Sequence, residues 1–225
     1  MNKIERALLA LVVGTVGAIG SASAAPCAPA SLSAYAALGS GGCTVGSLTF
    51  SDFVVEAFPG PTATQIAPAS ILVAPVANGF SLSSANILTA AAETLLGLRF
   101  LFDVTGPSIT GGTVALGSDR TVSGDGVITG LLDAGSAGNA IAIATADASD
   151  TPASFVSSPA AFFDVFFELG IDGGTTGSAS LGASLATLTF DAAAAPIPEP
   201  SVAALSLLGL IALLAQRRWR NPKRV

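Results

Sequence analysis

From Val45 onward the sequence alternates short apolar runs with clusters of glycine, proline, serine, asparagine and aspartate, and this pattern constrains the fold most strongly. Its clearest segment is a period-two stretch whose apolar face consists of Leu96, Leu98, Phe100, Phe102 and Val104. Arg99 and Asp103 occupy the opposite face, so the segment has the pattern of a half-buried β-strand. Eight further segments have strand character: 47–57, 69–73, 79–83, 108–116, 121–132, 140–146, 162–171 and 178–190. About nine short strands without a long helical pattern predict an all-β body, an antiparallel β-sandwich or jelly-roll.

Two short helices compete with this pattern. Leu32, Tyr35 and Leu38 recur at three-residue spacing after Ser31, a residue that caps helices, so a short helix is expected there. Apolar residues in 87–96 also recur at helical spacing, but they overlap the next strand, and both alternatives stay open at this point.

The ionisable residues exclude several classes of function. There is no histidine, and the two lysines, Lys3 and Lys223, lie near the chain ends. Histidine triads, histidine metal sites and internal lysine Schiff bases are therefore excluded. Residues 25–200 contain two arginines, Arg99 and Arg120, against fourteen acidic residues, a net charge of −12. Because this charge repels phosphate backbones, no nucleic-acid partner is expected.

Aromatic and acidic residues are the remaining chemical resources of the body. Four phenylalanines in 162–167 fall on both faces of a predicted strand and are interpreted as core, with a sugar-stacking platform as the alternative. The aspartates are interpreted as solvated turn residues: Asp119, Asp125, Asp147, Asp150 and Asp172. Acid–base work in a glycosidase and weak calcium binding are the alternatives, but no motif supports either. We predict no catalytic residue, no metal ligand and no cofactor.

The first 24 residues have the organisation of a secretory signal peptide. Lys3 and Arg6 give a positive start, 7–19 is largely apolar, and small residues follow, so cleavage is predicted between Ala24 and Ala25 by signal peptidase. An uncleaved N-terminal anchor is the alternative. Cys27 and Cys43 both follow the cleavage site, and two cysteines in an oxidising compartment permit one connectivity. We therefore predict a Cys27–Cys43 disulfide that acts as a structural staple.

The last thirty residues have three parts. Pro198, Glu199 and Pro200 form a stiff extended strip, because proline fixes φ and lacks an amide donor. A short apolar stretch, 201–216, follows and is predicted as a transmembrane helix in a thin bilayer. Arg217, Arg218 and Arg220 then form a membrane stop, and the positive-inside rule keeps them cytoplasmic. The body, residues 25–195, is therefore held outside the inner membrane.

This tail (196–225) resembles the PEP-CTERM sorting signal of Gram-negative bacteria in order, spacing and charge. The segment from Cys27 to Phe53 also resembles the N-terminal block of many PEP-CTERM proteins. The resemblance implies that an exosortase, a membrane cysteine transpeptidase-like enzyme, recognises the Pro-Glu-Pro strip and removes the helix. The precursor would be anchored in the inner membrane, and the product delivered to the cell surface or the exopolysaccharide matrix. A permanent C-terminal anchor is the alternative.

We therefore expect a non-enzymatic exported protein of the surface or extracellular matrix. A carbohydrate-binding or adhesive module associated with exopolysaccharide is a second hypothesis, and an Asp/Glu-dependent hydrolase is a third.

Overall fold

The computed structural model describes residues 24–60 and 63–193, and within these ranges the fold is all-β with almost entirely antiparallel pairing. The fifteen strands of the described part are β1 (Ala30–Ser31), β2 (Cys43–Val45), β3 (Leu48–Glu56), β4 (Ala63–Gln65), β5 (Ile71–Val76), β6 (Gly79–Ser84), β7 (Leu88–Ala91), β8 (Leu95–Leu116), β9 (Arg120–Ser123), β10 (Val127–Asp133), β11 (Asn139–Thr145), β12 (Ser149–Asp150), β13 (Ala153–Asp172), β14 (Ser178–Leu181) and β15 (Ser184–Ala192). One helix, α1 (Leu32–Ala36), and three 3-10 turns at Gly39–Gly41, Pro68–Ser70 and Gly135–Ala137 complete this part of the chain.

Two long strands, β8 and β13, organise the larger sheet. They pair antiparallel from Leu95–Asp172 at one end to Val114–Ala153 at the other. The first half of β8 also pairs with β3 and, in parallel, with β4. Its second half pairs instead with β15, which continues through β6 and β5 to β1. The second half of β13 pairs with β10, followed by β11 and β12. A separate three-stranded sheet has the order β7-β14-β9.

Each long strand changes direction or partner near a proline. The β3 ladder on β8 reaches Thr105, and the β15 ladder extends to Ile109, so Pro107 lies between the two ladders. In β13 the register shifts between Val156 and Phe162, a segment that contains Pro159. Because proline cannot donate a ladder hydrogen bond, both positions suit a break in regular pairing. The two halves of each strand therefore belong to different parts of the sheet.

The core of the described body is rich in phenylalanine. Phe50 on β3 and Phe80 on β6 are fully buried, and their ring centroids are 4.5 Å apart in an edge-on arrangement. Phe102 on β8 and Phe190 on β15 join the same cluster, 6.0 Å from each other. Since β3 and β6 are not neighbours in the sheet, this contact is a core contact between strands that do not pair with each other.

The prediction that the body consists of β-strands is confirmed, but several of the predicted strand boundaries are wrong. The period-two stretch lies in β8, and its alternation of buried and half-exposed residues matches the prediction. The segments 47–57, 79–83 and 140–146 correspond to β3, β6 and β11. The segment 69–73 overlaps β5, whereas 108–116 and 162–171 are parts of the long strands β8 and β13 and not separate short strands. The segments 121–132 and 178–190 are each divided by a turn, and β1, β2, β4, β7 and β12 were not predicted.

The helical predictions have opposite outcomes. α1 is present, and the Ser31 hydroxyl caps it by accepting a hydrogen bond from the Ala34 amide at 3.2 Å. The segment 87–96 is not a helix, because Leu88–Ala91 is strand β7 and pairs with β14. Ala90 is fully buried there, so tertiary pairing outweighs the local helical spacing. The predicted signal helix and the predicted transmembrane helix lie outside the described residues.

Candidate functional site

The N-terminal segment of the body is fastened by the predicted disulfide. Cys27 and Cys43 are bonded, with their Cα atoms 4.9 Å apart. Backbone bonds reinforce this link, because the Thr44 amide donates to the Ala25 carbonyl and the Cys27 amide donates to the Thr44 carbonyl, each at 2.9 Å. The Tyr35 hydroxyl donates to the Ala28 carbonyl at 2.9 Å. Among the described residues this hydrogen bonding reaches Ala24, whose carbonyl accepts from the Thr44 hydroxyl at 3.5 Å, so it extends to both sides of the predicted cleavage bond between Ala24 and Ala25.

The C-terminal end of the body consists of strand β15, followed by one residue that is hydrogen-bonded to β8. β15 ends at Ala192, and the Ala193 amide donates to the Ser108 carbonyl at 2.8 Å. The compact unit that contains the body also ends at Ala193. The predicted sorting strip, Pro198 to Pro200, and the predicted membrane stop at Arg217, Arg218 and Arg220 lie outside the described residues. Within 24–60 and 63–193, no helix has the length and apolar character needed to cross a membrane.

The phenylalanines of β13 divide between core and surface. Phe163 and Phe167 are buried, as predicted, but Phe162 is 50% exposed and Phe166 is half-buried. The expectation that both faces of this strand are core is therefore wrong for the face that carries Phe162. That face also carries Asp164, which is exposed, and we call it the outer face of the sheet.

Phe166 forms part of an aromatic and ionic cluster on the outer face. The Arg99 guanidinium lies 4.9 Å from the Phe166 ring centre and 5.9 Å from that of Phe58. Arg99 Nε donates to the Glu168 carboxylate at 2.9 Å, the one ion pair among the described residues. The Phe58 amide donates to Gln65 Oε1 at 2.6 Å, which holds the loop after β3 over the sheet. Sequence reasoning placed Arg99 on the polar face but could not find its partners, because strand register is not visible in one sequence.

Two of the five aspartates singled out in the sequence, Asp125 and Asp172, have structural roles in turns. Asp125 accepts four hydrogen bonds, from the amides of Thr175 and Thr176 at 2.9 Å and from their hydroxyls at 2.5 and 3.2 Å. These bonds hold the pKa of the Asp125 carboxyl well below its ordinary value. Asp172 accepts from the Gly174 amide at 2.8 Å in the same turn. The Asp125 carboxylate therefore fastens the turn after β13 to the turn between β9 and β10, and the Asp172 carboxylate shapes the turn after β13 from within.

The remaining predicted acidic residues are not brought together. Asp147 and Asp150 are exposed at the β11–β12 turn. Arg120 pairs with neither Asp119 nor Asp125 and instead donates to the Gly117 carbonyl and the Ser149 hydroxyl, each at 2.7 Å. In the part of the chain that the structure describes, no three Asp, Glu, Cys or His side chains are placed to hold a metal ion.

A second group of acidic residues, not singled out in the sequence, lies together on the outer face of the sheet. Asp103 on β8 and Asp164 on β13 are direct cross-strand partners, and Asp52 follows Ser51, the partner of Asp103 on β3. Partial burial, together with the negative charges of Asp164 and Asp52, raises the pKa of the Asp103 carboxyl. We call these three residues the acidic strip. Strand pairing creates it, so the sequence offered no local signal for it.

One residue of the acidic strip, Asp164, lines a cleft of about 310 Å³. Half-exposed Phe162 and its neighbour Asp164 line this cleft together with the 3-10 turn Gly135–Ala137. The turn is shaped by Asp133, whose carboxylate accepts from the Gly135 amide at 2.8 Å. The cleft therefore offers an aromatic ring, a carboxylate and a rim of small residues.

Comparisons with family models, characterised proteins and solved structures find no match for this chain.

Proposed function

We propose that the protein is an exported, non-enzymatic component of the cell surface or extracellular matrix, and that an exosortase-type membrane enzyme cleaves its C-terminal tail. The Pro198-Glu199-Pro200 strip, followed by an apolar stretch and an arginine cluster, carries this proposal. In this account signal peptidase removes residues 1–24, and the apolar stretch holds the precursor in the inner membrane until the tail is cut.

The disulfide supports export. Disulfides persist in oxidising compartments outside the cytoplasm, and Cys27–Cys43 closes the first segment after the predicted signal peptide. Removal of residues 1–24 would keep the bond from the Thr44 amide to the Ala25 carbonyl at 2.9 Å and would cost only the longer bond, 3.5 Å, from the Thr44 hydroxyl to the Ala24 carbonyl.

The end of the fold supports a removable tail. β15 lies between β6 and β8 and ends at Ala192, and five residues separate this end from Pro198, where the Pro-Glu-Pro strip begins. All the described strand pairing is complete before that strip. Cleavage within the tail therefore leaves the pairing of the body intact.

The body itself supports a stable extracellular module. We infer that the two facing parts of the larger sheet form a sandwich of the jelly-roll type, since Phe50 and Phe80 contact each other from different parts of the sheet. Fold alone assigns no ligand to such a module.

Mass analysis of the processed protein tests this proposal. The wild-type chain, expressed in a cell that contains an exosortase, should yield a product that has lost the apolar stretch and the final Val225. The double variant Pro198→Ala, Glu199→Ala should accumulate at full length to Val225. A matched control, Pro196→Ala, lies outside the strip and should be processed like the wild type.

Two results would count against the proposal. Equal processing of the double variant and the wild type would show that the strip does not direct the cut. Full-length wild-type protein in a cell with an active exosortase would favour a permanent anchor.

A further inference from the structure

The place where the chain leaves the body determines which part of the body an enzyme bound to the Pro-Glu-Pro strip meets. The Ala193 amide donates to the Ser108 carbonyl at 2.8 Å, so the chain leaves the body beside the middle of β8. Five residue steps lead from Ala193 to Pro198, and a fully extended chain covers at most about 18 Å in five steps. A folded unit of the length of the body is roughly 40 Å across, because its radius of gyration is about 15 Å. The reach of the linker is therefore less than half the width of the body.

Four segments of the described body surround this exit point. Ala192 pairs with Ile109 of β8, which pairs on its other side with Ala160 of β13. The Phe190 amide donates to the Asn78 carbonyl at 3.0 Å, which places the β5–β6 turn beside β15. The Asn78 side chain in turn lies beside the β2–β3 turn. We call six exposed residues of these segments the exit rim: Ser47, Ala77, Pro107, Ser158, Pro159 and Asp191.

The exit rim carries little charge in a body that is strongly acidic. Asp191 is its one ionisable residue. Glu93 and Asp119, in contrast, lie just outside the two ends of β8, and the acidic strip begins five residues from Ser108 along the same strand. Covering a charged side chain without a partner costs free energy. The surface around the exit point is therefore one that another protein can approach closely at low cost.

We propose that the exit rim contacts the exosortase-type enzyme while the Pro-Glu-Pro strip occupies the cleft of that enzyme. This inference rests on the proposed processing of the tail, and it names the part of the body that the enzyme meets. A linker that reaches at most about 18 Å cannot hold the whole body clear of an enzyme that encloses the strip. The exit rim therefore affects how fast the tail is cut, although it lies outside the strip that is recognised.

Paired charge variants test the contact. The rim variant Ala77→Glu, Ser158→Glu adds two charges beside the exit point. Its matched control, Ala92→Glu, Ser118→Glu, adds them to exposed residues of the same two types just beyond the ends of β8. Each full-length chain is expressed with an exosortase, and conversion of precursor to product is followed by intact mass in samples taken over time. The rim variant should be processed at least about fivefold more slowly than the wild type, and the control should match the wild type.

A longer linker separates a lost contact from a folding defect. Ten Gly-Ser residues inserted after Ala195 add about 17 Å of root-mean-square reach, so the body no longer has to meet the enzyme. In this background the rim variant should be processed as fast as its parent. A thermal melt should give the rim variant the melting temperature of the wild type.

A variant of opposite charge separates the enzyme from the bilayer. Ala77→Lys, Ser158→Lys should slow processing as the glutamate pair does, because a charge of either sign is costly to cover. An anionic bilayer would instead attract the lysines and speed processing. Faster processing of the lysine variant would therefore overturn the contact with the enzyme in favour of one with lipid.

Two other results would overturn this inference alone. One is equal processing of the rim variant and its matched control, which would leave the proposed cleavage of the tail intact. The other is slow processing of the rim variant that persists with the long linker. Wild-type protein that is never cut would overturn the proposed function, and with it the inference that rests on it.

Discussion

Replacing both Cys27 and Cys43 with alanine should lower the free energy of unfolding of the body by about 3 kcal/mol. The two residues are 16 positions apart, and a bridge of that span removes about this much loop entropy from the unfolded chain. For a body of this size the loss corresponds to a fall of roughly 6–12 °C in melting temperature.

This magnitude requires that the bridged segment remain docked until the whole body unfolds. Leu32 is fully buried and Tyr35 is 2% exposed, and the Tyr35 ring lies 5.2 Å from Phe53 and 5.4 Å from Phe80. Because these contacts hold the segment against the core, the disulfide acts on the global unfolded state and not on a local opening.

Urea denaturation followed by fluorescence or circular dichroism measures the effect. Wild-type protein treated with a reductant should show the same loss as the double alanine variant, which controls for changes in packing. If the free energy of unfolding falls by less than about 1 kcal/mol in both the reduced wild type and the double alanine variant, the reasoning is refuted. The bridged segment would then unfold separately from the rest of the body.

Three further predictions concern the core, a turn and a buried hydroxyl. Phe50→Ala should cost about 3–5 kcal/mol in urea denaturation, because Phe50 is fully buried in the aromatic cluster, and Phe50→Leu should cost less. Asp125→Asn should destabilise the body at neutral pH. The pKa of Asp125 is lower in the folded state than in the unfolded chain, so the stability that the ionised carboxylate adds is present above about pH 4. This stability is lost as the pH falls through the folded-state pKa. The difference in the free energy of unfolding between wild type and variant should therefore shrink in acid. Tyr35→Phe should cost about 1 kcal/mol through the lost bond to the Ala28 carbonyl.

Each of these predictions has a control or a contrary result. Val156→Ala, at a residue that is 85% exposed, should change stability by less than about 0.5 kcal/mol in the same assay as Phe50→Ala. A constant difference between Asp125→Asn and the wild type from pH 7 to pH 2 would contradict the role of the carboxylate. If Tyr35→Phe leaves the free energy of unfolding unchanged, the hydrogen bond of the Tyr35 hydroxyl is no more stabilising than the bond to water that it replaces.

Local pattern was enough to predict the kind of fold. The alternation in 96–104 identified the buried face of β8, because a strand that covers a core must place every second residue inward. The disulfide followed from having two cysteines after a predicted signal peptide. Ser31 was recognised as a helix cap from its position before an apolar repeat.

Features that depend on which strands lie side by side could not be predicted from the sequence. β8 continues through Pro107 because other strands pair with both of its halves, and β7 forms a strand at 88–91 because β14 lies beside it. The acidic strip and the Arg99 cluster depend on register, which places Asp103 opposite Asp164 and Arg99 opposite Glu168. The acidic strip and the Arg99 cluster each bring together residues that are 60 or more positions apart in the chain. No local spacing in the sequence encodes such a contact.

The intact mass of the protein isolated from its native cell envelope and medium tests the sorting account most directly. The account predicts a chain that begins at Ala25, retains the Cys27–Cys43 bond and ends within the tail, without the apolar stretch 201–216. Material that ends only at Val225 in every fraction would contradict the account, and the body would then be a permanently tethered ectodomain.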